Sequence, residues 1–242
     1  MNSTKKILIA NRGVIAIRAL RAAKELGYQV ASVYSTADKN LKHLKLSDEA
    51  ICIGPPDSKD SYLNEAAIIS AAELANVDGI YPGYGFLSEN AEFAEKCKNS
   101  GFKFIGPSHE IISLMGDKIQ AKNLMRQLGV PVVPGYEGPV ESKEQIEDEV
   151  KKVGLPVIIK AAAGGGGRGM RIVRELSELW DAIEDARSEA NAAFGSDLVF
   201  IERYLEKPRH VEIQIFGDGR GKVVHLFSRD CSLQRKYQKV IE

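Results

Sequence analysis

The sequence predicts an α/β protein: a parallel-sheet domain, then a smaller unit with an antiparallel hairpin, then the start of an antiparallel sheet. Three observations lead to this fold class. Residues 6–34 read as strand, turn, helix and strand, and such a βαβ unit makes its two strands parallel. Apolar runs on both sides of a glycine-rich loop at 160–170 predict a hairpin. Residues 209–227 alternate between apolar and polar side chains around a glycine-rich turn, as antiparallel strands do.

Composition and charge exclude several classes of protein. The chain has 242 residues with 33 basic and 33 acidic side chains, so we expect neither a nucleic acid nor a membrane surface as a partner. Its apolar runs are far shorter than the roughly 20 residues of a membrane span, and its N-terminus lacks a signal-peptide pattern, so we expect a cytoplasmic protein. Cys52, Cys97 and Cys231 have no paired spacing, so neither a disulfide framework nor a zinc site is predicted.

The first predicted domain spans residues 1–106. Its strands are predicted at 6–10, 29–34, 49–53, 78–81 and 102–105, with helices at 14–26, at 64–75 and from Ala91 onward. Gly27 is placed to end the first helix in a left-handed cap. The first turn carries only Gly13, so the dinucleotide-binding pattern is absent. The loop at 81–90 follows a strand, where open α/β sheets bind ligands, although an ordinary strand-to-helix turn would have the same spacing.

Three further regions follow. A helical linker is predicted at 107–139, with a helix at 108–128 and a loop at 135–139 that suits a hinge. Residues 140–204 form a small unit, with a helix at 142–153, strands at 156–159 and 170–173, a helix at 176–194 and a strand at 198–202. Residues 205–242 begin an antiparallel sheet, with Val211, Ile213 and Ile215 on one face of its first strand. Because a two-stranded ribbon is marginal alone, this region reads as the opening of a larger domain.

The glycine-rich loop is the main candidate for a binding site. Lys160 ends the first hairpin strand, and five glycines and Arg168 follow before Met170. Glycines have no Cβ, so several backbone N–H groups can approach an anion, and the lysine adds a positive charge beside them. The pattern predicts a flap over the phosphates of a nucleotide; the alternative is a flexible hairpin tip. It is not the Walker motif, which needs a lysine and a hydroxyl residue after the glycines.

The order of motifs along the chain resembles the ATP-grasp superfamily, and within it biotin carboxylase, the ATP-dependent component of biotin-dependent carboxylases. The motifs stand at 10–13 (Ala-Asn-Arg-Gly), 81–90 (Tyr-Pro-Gly-Tyr-Gly-Phe-Leu-Ser-Glu-Asn), 104–107 (Phe-Ile-Gly-Pro), 114–118 (Leu-Met-Gly-Asp-Lys), 160–170, 204–214 and 229–235. They cover the chain from end to end. The resemblance implies a Rossmann-like pre-ATP-grasp domain at 1–106, an ATP-grasp lid at 140–204 and the truncated start of the catalytic platform at 205–242.

The resemblance also implies an activity and its residues. In this family bicarbonate attacks the γ-phosphate of ATP, carboxyphosphate breaks down to carbon dioxide, and the ureido nitrogen of biotin captures it. Lys239 falls on the position that holds bicarbonate, and Tyr84 and Gly85 lie near where biotin enters. ATP-contacting positions fall on Lys118, Lys160, Gly165, Gly166, Gly167, Met170, Glu202, Arg203, Tyr204, Leu205, His210, Gln234 and Tyr237. On spacing alone, His210 and Gln234 would also suit surface polar residues.

Cofactors and partners follow from the same resemblance. They are ATP, carrier-bound biotin and Mg²⁺, whose ligands are expected beyond residue 242, so no metal ligand is predicted within the chain. We expect a biotin carboxyl carrier protein or domain and a carboxyltransferase subunit or domain as partners, and family members often form homodimers. Because the family continues for about as many residues again, we expect these residues to be an N-terminal fragment that is inactive alone. Two alternatives stay open: a non-catalytic nucleotide-binding or dimerisation module, and another ATP-grasp ligase that activates a different carboxylate.

Three positions depart from the family pattern. Val14 stands where an acidic residue is usual, and Tyr81 and Tyr237 stand where histidine is usual. The hydroxyl of Tyr237 can still donate a hydrogen bond to a ribose, so we expect an altered nucleotide contact there rather than none. Nothing in the sequence explains Val14.

Overall fold

A computed structural model describes residues 5–162, 170–235 and 238–240, apart from the side chains of Phe194 and Gln238. The chain divides into two compact units between Gly116 and Asp117. The predicted boundaries at 106, 139 and 204 are finer than this division and stay predictions. None of the helices in the described ranges is long and apolar enough to cross a bilayer.

The first unit is built on a five-stranded parallel sheet, which confirms the predicted fold class. The strand order is β3-β2-β1-β4-β5, and every neighbouring pair is parallel. The strands are β1 (Lys6–Ile9), β2 (Gln29–Ser35), β3 (Glu49–Gly54), β4 (Gly79–Tyr81) and β5 (Lys103–Phe104). The sheet grows outward in both directions from β1, so the loops after β1 and β4 meet where the strand order reverses.

In the described residues of this unit, the α-helices are α1 (Gly13–Glu25), α2 (Lys42–Leu46), α3 (Glu65–Leu74), α4 (Ala91–Asn99) and α5 (His109–Gly116). Asn64 and Asn90 cap α3 and α4 by accepting hydrogen bonds from the backbone N–H three residues later. Gly27 has the left-handed backbone (φ +78°) expected after the end of α1. Leu8 on β1 packs with α3 and α4, whereas Ile9 packs with α1, so the alternating strand residues separate two cores.

The second unit contains a four-stranded antiparallel sheet in the order β6-β9-β7-β8. Its strands are β6 (Gly135–Tyr136), β7 (Val157–Ala161), β8 (Arg171–Val173) and β9 (Val199–Arg203). One face of this sheet packs against α7 (Lys143–Val153) and α8 (Leu179–Phe194), and the shared core is fully or almost fully buried. The predicted hairpin is therefore present as β7 and β8.

An antiparallel ribbon and a short hairpin follow in the second unit. The ribbon pairs β10 (Val211–Gly217) with β11 (Val223–Asp230), as predicted, and β12 (Gln234–Arg235) pairs with β13 (Gln238–Lys239). Val211, Ile213 and Ile215 of β10 are all exposed. The apolar face that the alternation predicted is thus present, but within the described residues it lacks an apolar layer against it.

Two predictions about the linker are wrong. The helix expected at 108–128 is broken at Asp117, whose carboxylate accepts hydrogen bonds from the backbone N–H groups of Ile119 (2.9 Å) and Gln120 (3.0 Å) and so begins a new helix, α6 (Lys118–Gln127). The loop expected at 135–139 begins instead with β6, because Gly135 and Tyr136 pair with the edge of β9. The start of that segment is therefore a strand of the sheet rather than a loop, and its use as a hinge stays a prediction.

Candidate functional site

The sequence of β7 and β9 places charged side chains on one face of the second sheet. Ile158 lies directly opposite Glu202 across the two strands, and Lys160 lies opposite Phe200. Because side chains alternate along a strand, these four point to the same face, and the intervening residues, such as Ile159, face the core. Lys160 and Glu202 are therefore diagonal neighbours, close enough for direct contact between long side chains.

Lys160 and Glu202 form an ion pair on this face. The ammonium nitrogen of Lys160 lies 2.5 Å from Oε2 of Glu202, whose side chain is only 10% exposed. Burial raises the pKa of Glu202, but the hydrogen bond from Lys160 and the positive charges of Lys160 and Lys122 outweigh burial and hold that pKa below its ordinary value. Glu202 is thus ionised at neutral pH and offsets the lysine charges around it.

Lys118 brings a second predicted ammonium group to the same strand end. It is the first residue of α6, and its Nζ lies 3.3 Å from the backbone carbonyl oxygen of Ala161, the last residue of β7. Burial and then the like charge of Lys160 lower the pKa of Lys118. Two ammonium groups that repel each other at the end of one strand make a site suited to a polyanion.

Lys122 and Glu137, which were not predicted as site residues, complete this cluster. The ammonium nitrogen of Lys122 lies 2.9 Å from Oε1 of Glu202 and 2.5 Å from Oε1 of Glu137. A Cβ at Gly135 would lie 2.4 Å from the carbonyl oxygen of Ile201 and 3.1 Å from Nζ of Lys122, so only glycine lets β6 approach β9 here. The signal available was the four-residue spacing between Lys118 and Lys122, which puts both on one helix face.

The predicted residues that follow Glu202 at the end of β9 differ in their contacts. The guanidinium of Arg203 donates hydrogen bonds from Nε (2.9 Å) and Nη2 to the carbonyl oxygen of Val153, the last residue of α7. The backbone N–H of Tyr204 donates to Pro156 (2.8 Å), and its ring lies 5.9 Å from the guanidinium of Arg174. Leu205 follows and is exposed.

Met170 lies just before β8, where its carbonyl accepts a hydrogen bond from Arg171 at 3.1 Å. The predicted Gly165, Gly166, Gly167 and Tyr237 lie outside the described residues.

A second polar cluster lies on the ribbon and the following hairpin, and it contains the predicted Lys239. The Nζ of Lys239 and the guanidinium of Arg229 both donate to the carboxylate of Glu212, and Arg229 also donates to Gln214 at 2.9 Å. The hydrogen bond from Lys239 and then that from Arg229 lower the pKa of Glu212 to about 2. Glu212 was not among the predicted site residues, although the alternation of β10 puts it on the polar face with His210.

His210 and Gln234 also meet in this region. Nδ1 of His210 lies 2.6 Å from Nε2 of Gln234, and Gln234 also donates to the backbone carbonyl of Cys231 at 3.0 Å. The structure therefore places Lys118, Lys160 and Glu202 in one cluster, the strand-end cluster. It places His210, Gln234 and Lys239 in a second, the ribbon cluster.

The predicted biotin-proximal residues lie in the first unit, in the loop after β4. Nδ2 of Asn11 donates to the carbonyl oxygens of Pro82 (2.7 Å) and Tyr84 (3.0 Å), which fixes the backbone of this loop. The side chain of Tyr84 is exposed, and Gly85 has a left-handed backbone (φ +71°) that favours glycine.

Val14 and Tyr81, the two residues of this unit that depart from the family pattern, lie in different places. Val14 is exposed on α1. Tyr81 lines a cavity of about 640 Å³ bounded by α1, β1, β4 and β5, and the described loop residues Tyr84 and Gly85 do not line it.

Metal binding can be assessed from the described side chains. In the described ranges, no group of three or more histidine, cysteine, aspartate and glutamate side chains is placed to hold a metal ion. The described residues therefore do not by themselves fit a Mg²⁺ site.

Two family descriptions match the chain. Residues 3–112 match "Biotin carboxylase, N-terminal domain", and residues 117–242 match "Carbamoyl-phosphate synthase L chain, ATP binding domain". The chain is 56% identical over 239 residues to a biotin carboxylase of Haemophilus influenzae and 50% identical over 243 residues to a pyruvate carboxylase of Staphylococcus aureus. These alignments cover 98% and 100% of this chain but 53% and 21% of those proteins. The chain thus spans about half the length of the biotin carboxylase.

The solved structures that resemble this chain include biotin carboxylases as well. A crystal structure of a biotin carboxylase-beta-gamma-ATP complex from Campylobacter jejuni matches with a TM-score of 0.92 and 53% identity, covering 98% of this chain and 53% of the other. The biotin carboxylase domain dimer of a Hydrogenobacter thermophilus 2-oxoglutarate carboxylase, in complex with MgADP, ADP and bicarbonate, matches with a TM-score of 0.90 and 46% identity. That match covers 99% of this chain and 52% of the other.

Proposed function

We propose that this chain, which belongs to the biotin carboxylase family by its two matched domains, carries the ATP-binding part of a biotin carboxylase. The reaction is the ATP-dependent carboxylation of biotin on a carrier protein or domain. A bicarbonate oxygen attacks the γ-phosphorus of ATP and releases ADP. The resulting carboxyphosphate breaks down to carbon dioxide and phosphate, and a ureido nitrogen of biotin loses its proton as it forms the bond to carbon dioxide.

One observation carries the proposal: Lys118 and Lys160 converge at the end of β7, beside the ionised Glu202. Phosphoryl transfer depends mostly on positioning and on neutralising phosphate charge, which ammonium groups on rigid elements provide. Two relatives are named as nucleotide complexes, which supports a nucleotide as the ligand of this chain. We assign Lys118 and Lys160 to the phosphates and the segment from Glu202 to Leu205, with Met170, to the adenine end.

The ribbon cluster supplies the remaining roles. His210, Gln234 and Tyr237 are assigned to the ribose side of the nucleotide and Lys239 to bicarbonate. Glu212 holds Lys239, so we add it as a positioning residue that keeps the lysine at a fixed place on the ribbon. Mg²⁺ is proposed as a further cofactor because the named complex of one relative contains MgADP, and its ligands are expected outside the described residues.

The partners are proposals as well. A carrier protein or domain bears the biotin, which approaches the loop of Tyr84 and Gly85, and a carboxyltransferase takes the carboxyl group onward. The dimeric state of one relative favours a homodimer here too. We also propose a cytoplasmic location.

Bicarbonate-dependent release of phosphate from ATP, measured with free biotin in the natural full-length protein, tests this function. Lys160→Ala removes a charge-assisted contact to phosphate and should lower kcat/KM for ATP by about 10²-fold or more. Lys239→Ala should abolish the bicarbonate-dependent cleavage of ATP, and unchanged bicarbonate dependence would count against the role assigned to Lys239. Lys152→Ala, an exposed lysine of α7, is the matched control and should leave the rate unchanged.

Unchanged turnover in Lys160→Ala would overturn the assignment. Activity that requires a carboxylate substrate other than bicarbonate would favour another ATP-grasp ligase. That alternative stays open because residues 117–242 match the ATP-binding domain description of a different enzyme. Nucleotide binding without any cleavage would favour a non-catalytic module.

A further inference from the structure

One face of α6 carries a row of basic side chains over the second sheet. Lys118, Lys122 and Arg126 recur at intervals of four residues, so they lie above one another on one side of the helix. Lys122 is the buried member of the row: its side chain is 13% exposed, and those of its partners Glu137 and Glu202 are 12% and 10% exposed. Its ammonium also lies 5.8 Å from the centroid of the Phe200 ring.

We propose that Lys122 is a positioning residue that holds Glu202 in place and so leaves Lys160 available to a phosphate. The inference rests on the proposed function in assigning Lys160 to a nucleotide, but the arrangement of charges that it describes does not depend on that assignment.

The argument begins with the two oxygens of Glu202. Oε2 is bound by Lys160 at 2.5 Å, and Oε1 lies 2.9 Å from Lys122. For Lys160 to reach a phosphate, it has to leave Oε2, and a buried carboxylate left without a cation is strongly unfavourable. Lys122 supplies a cation that remains with Glu202 after Lys160 has left. In the described part of the chain, these two lysines are the cations that pair with Glu202.

The two lysines differ in their freedom to move. Lys160 is 31% exposed and stands at the end of β7, so its ammonium can turn toward solvent or a ligand. Lys122 is enclosed between Glu137 on the segment after β6 and Glu202 on β9, under a sheet that approaches closely because residue 135 is glycine. The geometry therefore separates a fixed partner of Glu202 from an exchangeable one.

A chemical measurement on this chain tests the arrangement without any nucleotide. The acetylation rate of Lys160 by trace acetic anhydride, determined by peptide mass spectrometry against a denatured reference, reports how tightly Glu202 holds that amine. In Lys122→Met, Glu202 is left with Lys160 alone, so acetylation of Lys160 should slow by about three- to tenfold. In Lys122→Met/Glu202→Gln, the rate should return to at least the wild-type value.

Glu137→Gln should change the rate in the opposite direction. Without the charge of Glu137, Lys122 interacts with Glu202 alone and Lys160 is held less, so its acetylation should speed up by about twofold or more. The matched control is Lys152→Met, which removes an exposed lysine paired with Glu149 on α7 and should leave the rate of Lys160 unchanged.

A folded Lys122→Met protein with an unchanged or faster rate at Lys160 would overturn the proposal. If Lys122→Met does not fold, Glu137→Gln decides, and an unchanged or slower rate overturns it. In the natural full-length protein, the proposal further predicts that Lys122→Met raises KM for ATP about tenfold or more with little change in kcat, whereas a purely structural role would lower kcat and the melting temperature together. Absence of ATP cleavage in the wild type would refute the proposed function but not the acetylation result.

Discussion

Glu202→Gln removes a buried charge while keeping the volume of the side chain, so it measures what the strand-end cluster contributes to stability. Taking one partner from a buried ion pair costs roughly 3–5 kcal/mol when the other is left uncompensated. The cost should be lower here because Lys122 retains Glu137, Lys160 is partly exposed, and the new amide oxygen can still accept a hydrogen bond. We therefore expect a loss of about 2 kcal/mol in the free energy of unfolding of the second unit.

The assay uses Trp180, the single tryptophan of the chain, which lies in α8 and packs partly buried against the core of the second unit. Urea unfolding followed by its fluorescence reports that unit, and a loss of this size should lower the midpoint by about 1 M. Glu206→Gln is the matched control. Its ion pair with Arg174 (2.6 Å) is exposed on both sides, so the loss should be about 0–1 kcal/mol.

The pH dependence follows from the sign of the pKa shift. Glu202 has a pKa in the folded state below its ordinary value of 4.5, so its stabilisation is fully present above that pH and is lost as pH falls through the folded pKa. The difference between wild type and Glu202→Gln should accordingly shrink in acid. Equal urea midpoints for Glu202→Gln and Glu206→Gln at neutral pH would refute the view that this cluster is a buried, mutually compensated set of charges.

Three further predictions concern the first unit. His43 is buried, and burial lowers its pKa, so as pH falls the unfolded state binds a proton at a higher pH than the folded state does. The free energy of unfolding should therefore fall as pH drops below 6.5, and His43→Leu, followed by circular dichroism, should not show this loss. Gly83→Ala adds a Cβ 2.7 Å from the nearest side-chain atom at φ +71° and should cost about 2–3 kcal/mol in thermal unfolding, against about 1 kcal/mol for Gly101→Ala, which has open space. Burial raises the pKa of the Cys97 thiol to about 12, so iodoacetamide should modify the exposed Cys52 at least about 10²-fold faster, as mass spectrometry would show.

Most elements of the fold could be predicted because their signals are local. The alternation of β10, the asparagine caps of α3 and α4, and the glycine after α1 all act within a few residues of the backbone that they determine. The break at Asp117 was also available in principle. Gln120 stands three residues after Asp117, which is the spacing of a capping box, and its side-chain amide donates a hydrogen bond to the Asp117 carboxylate at 2.9 Å. The glycine before Asp117 and the apolar run around it hid that signal.

The strand-end cluster could be predicted only in part. Lys160 and Glu202 were accessible because each stands at a strand end in a recognisable motif. Lys122 and Glu137 were not, because a lysine one turn into a charged helix and a glutamate just before a glycine look like solvated residues. Their burial arises when β6 pairs with β9, a contact between segments about 65 residues apart in the chain. Long-range pairing of this kind leaves little trace in a single sequence.

The alternation of β9 also limits how a nucleotide could be recognised at its end. Glu202 points to the charged face, while the next side chain, Arg203, points away and satisfies the last carbonyl of α7. The backbone N–H groups of Arg203 and Tyr204 are bonded to Pro134 and Pro156, both at 2.8 Å. The Arg203 guanidinium bonds a carbonyl at the end of α7 that would otherwise be unsatisfied. Moving the guanidinium to a ligand would therefore cost free energy. We therefore expect Arg203 and Leu205 to contribute main-chain atoms to an adenine site, and the positive charge at this site to come from the lysines rather than from Arg203.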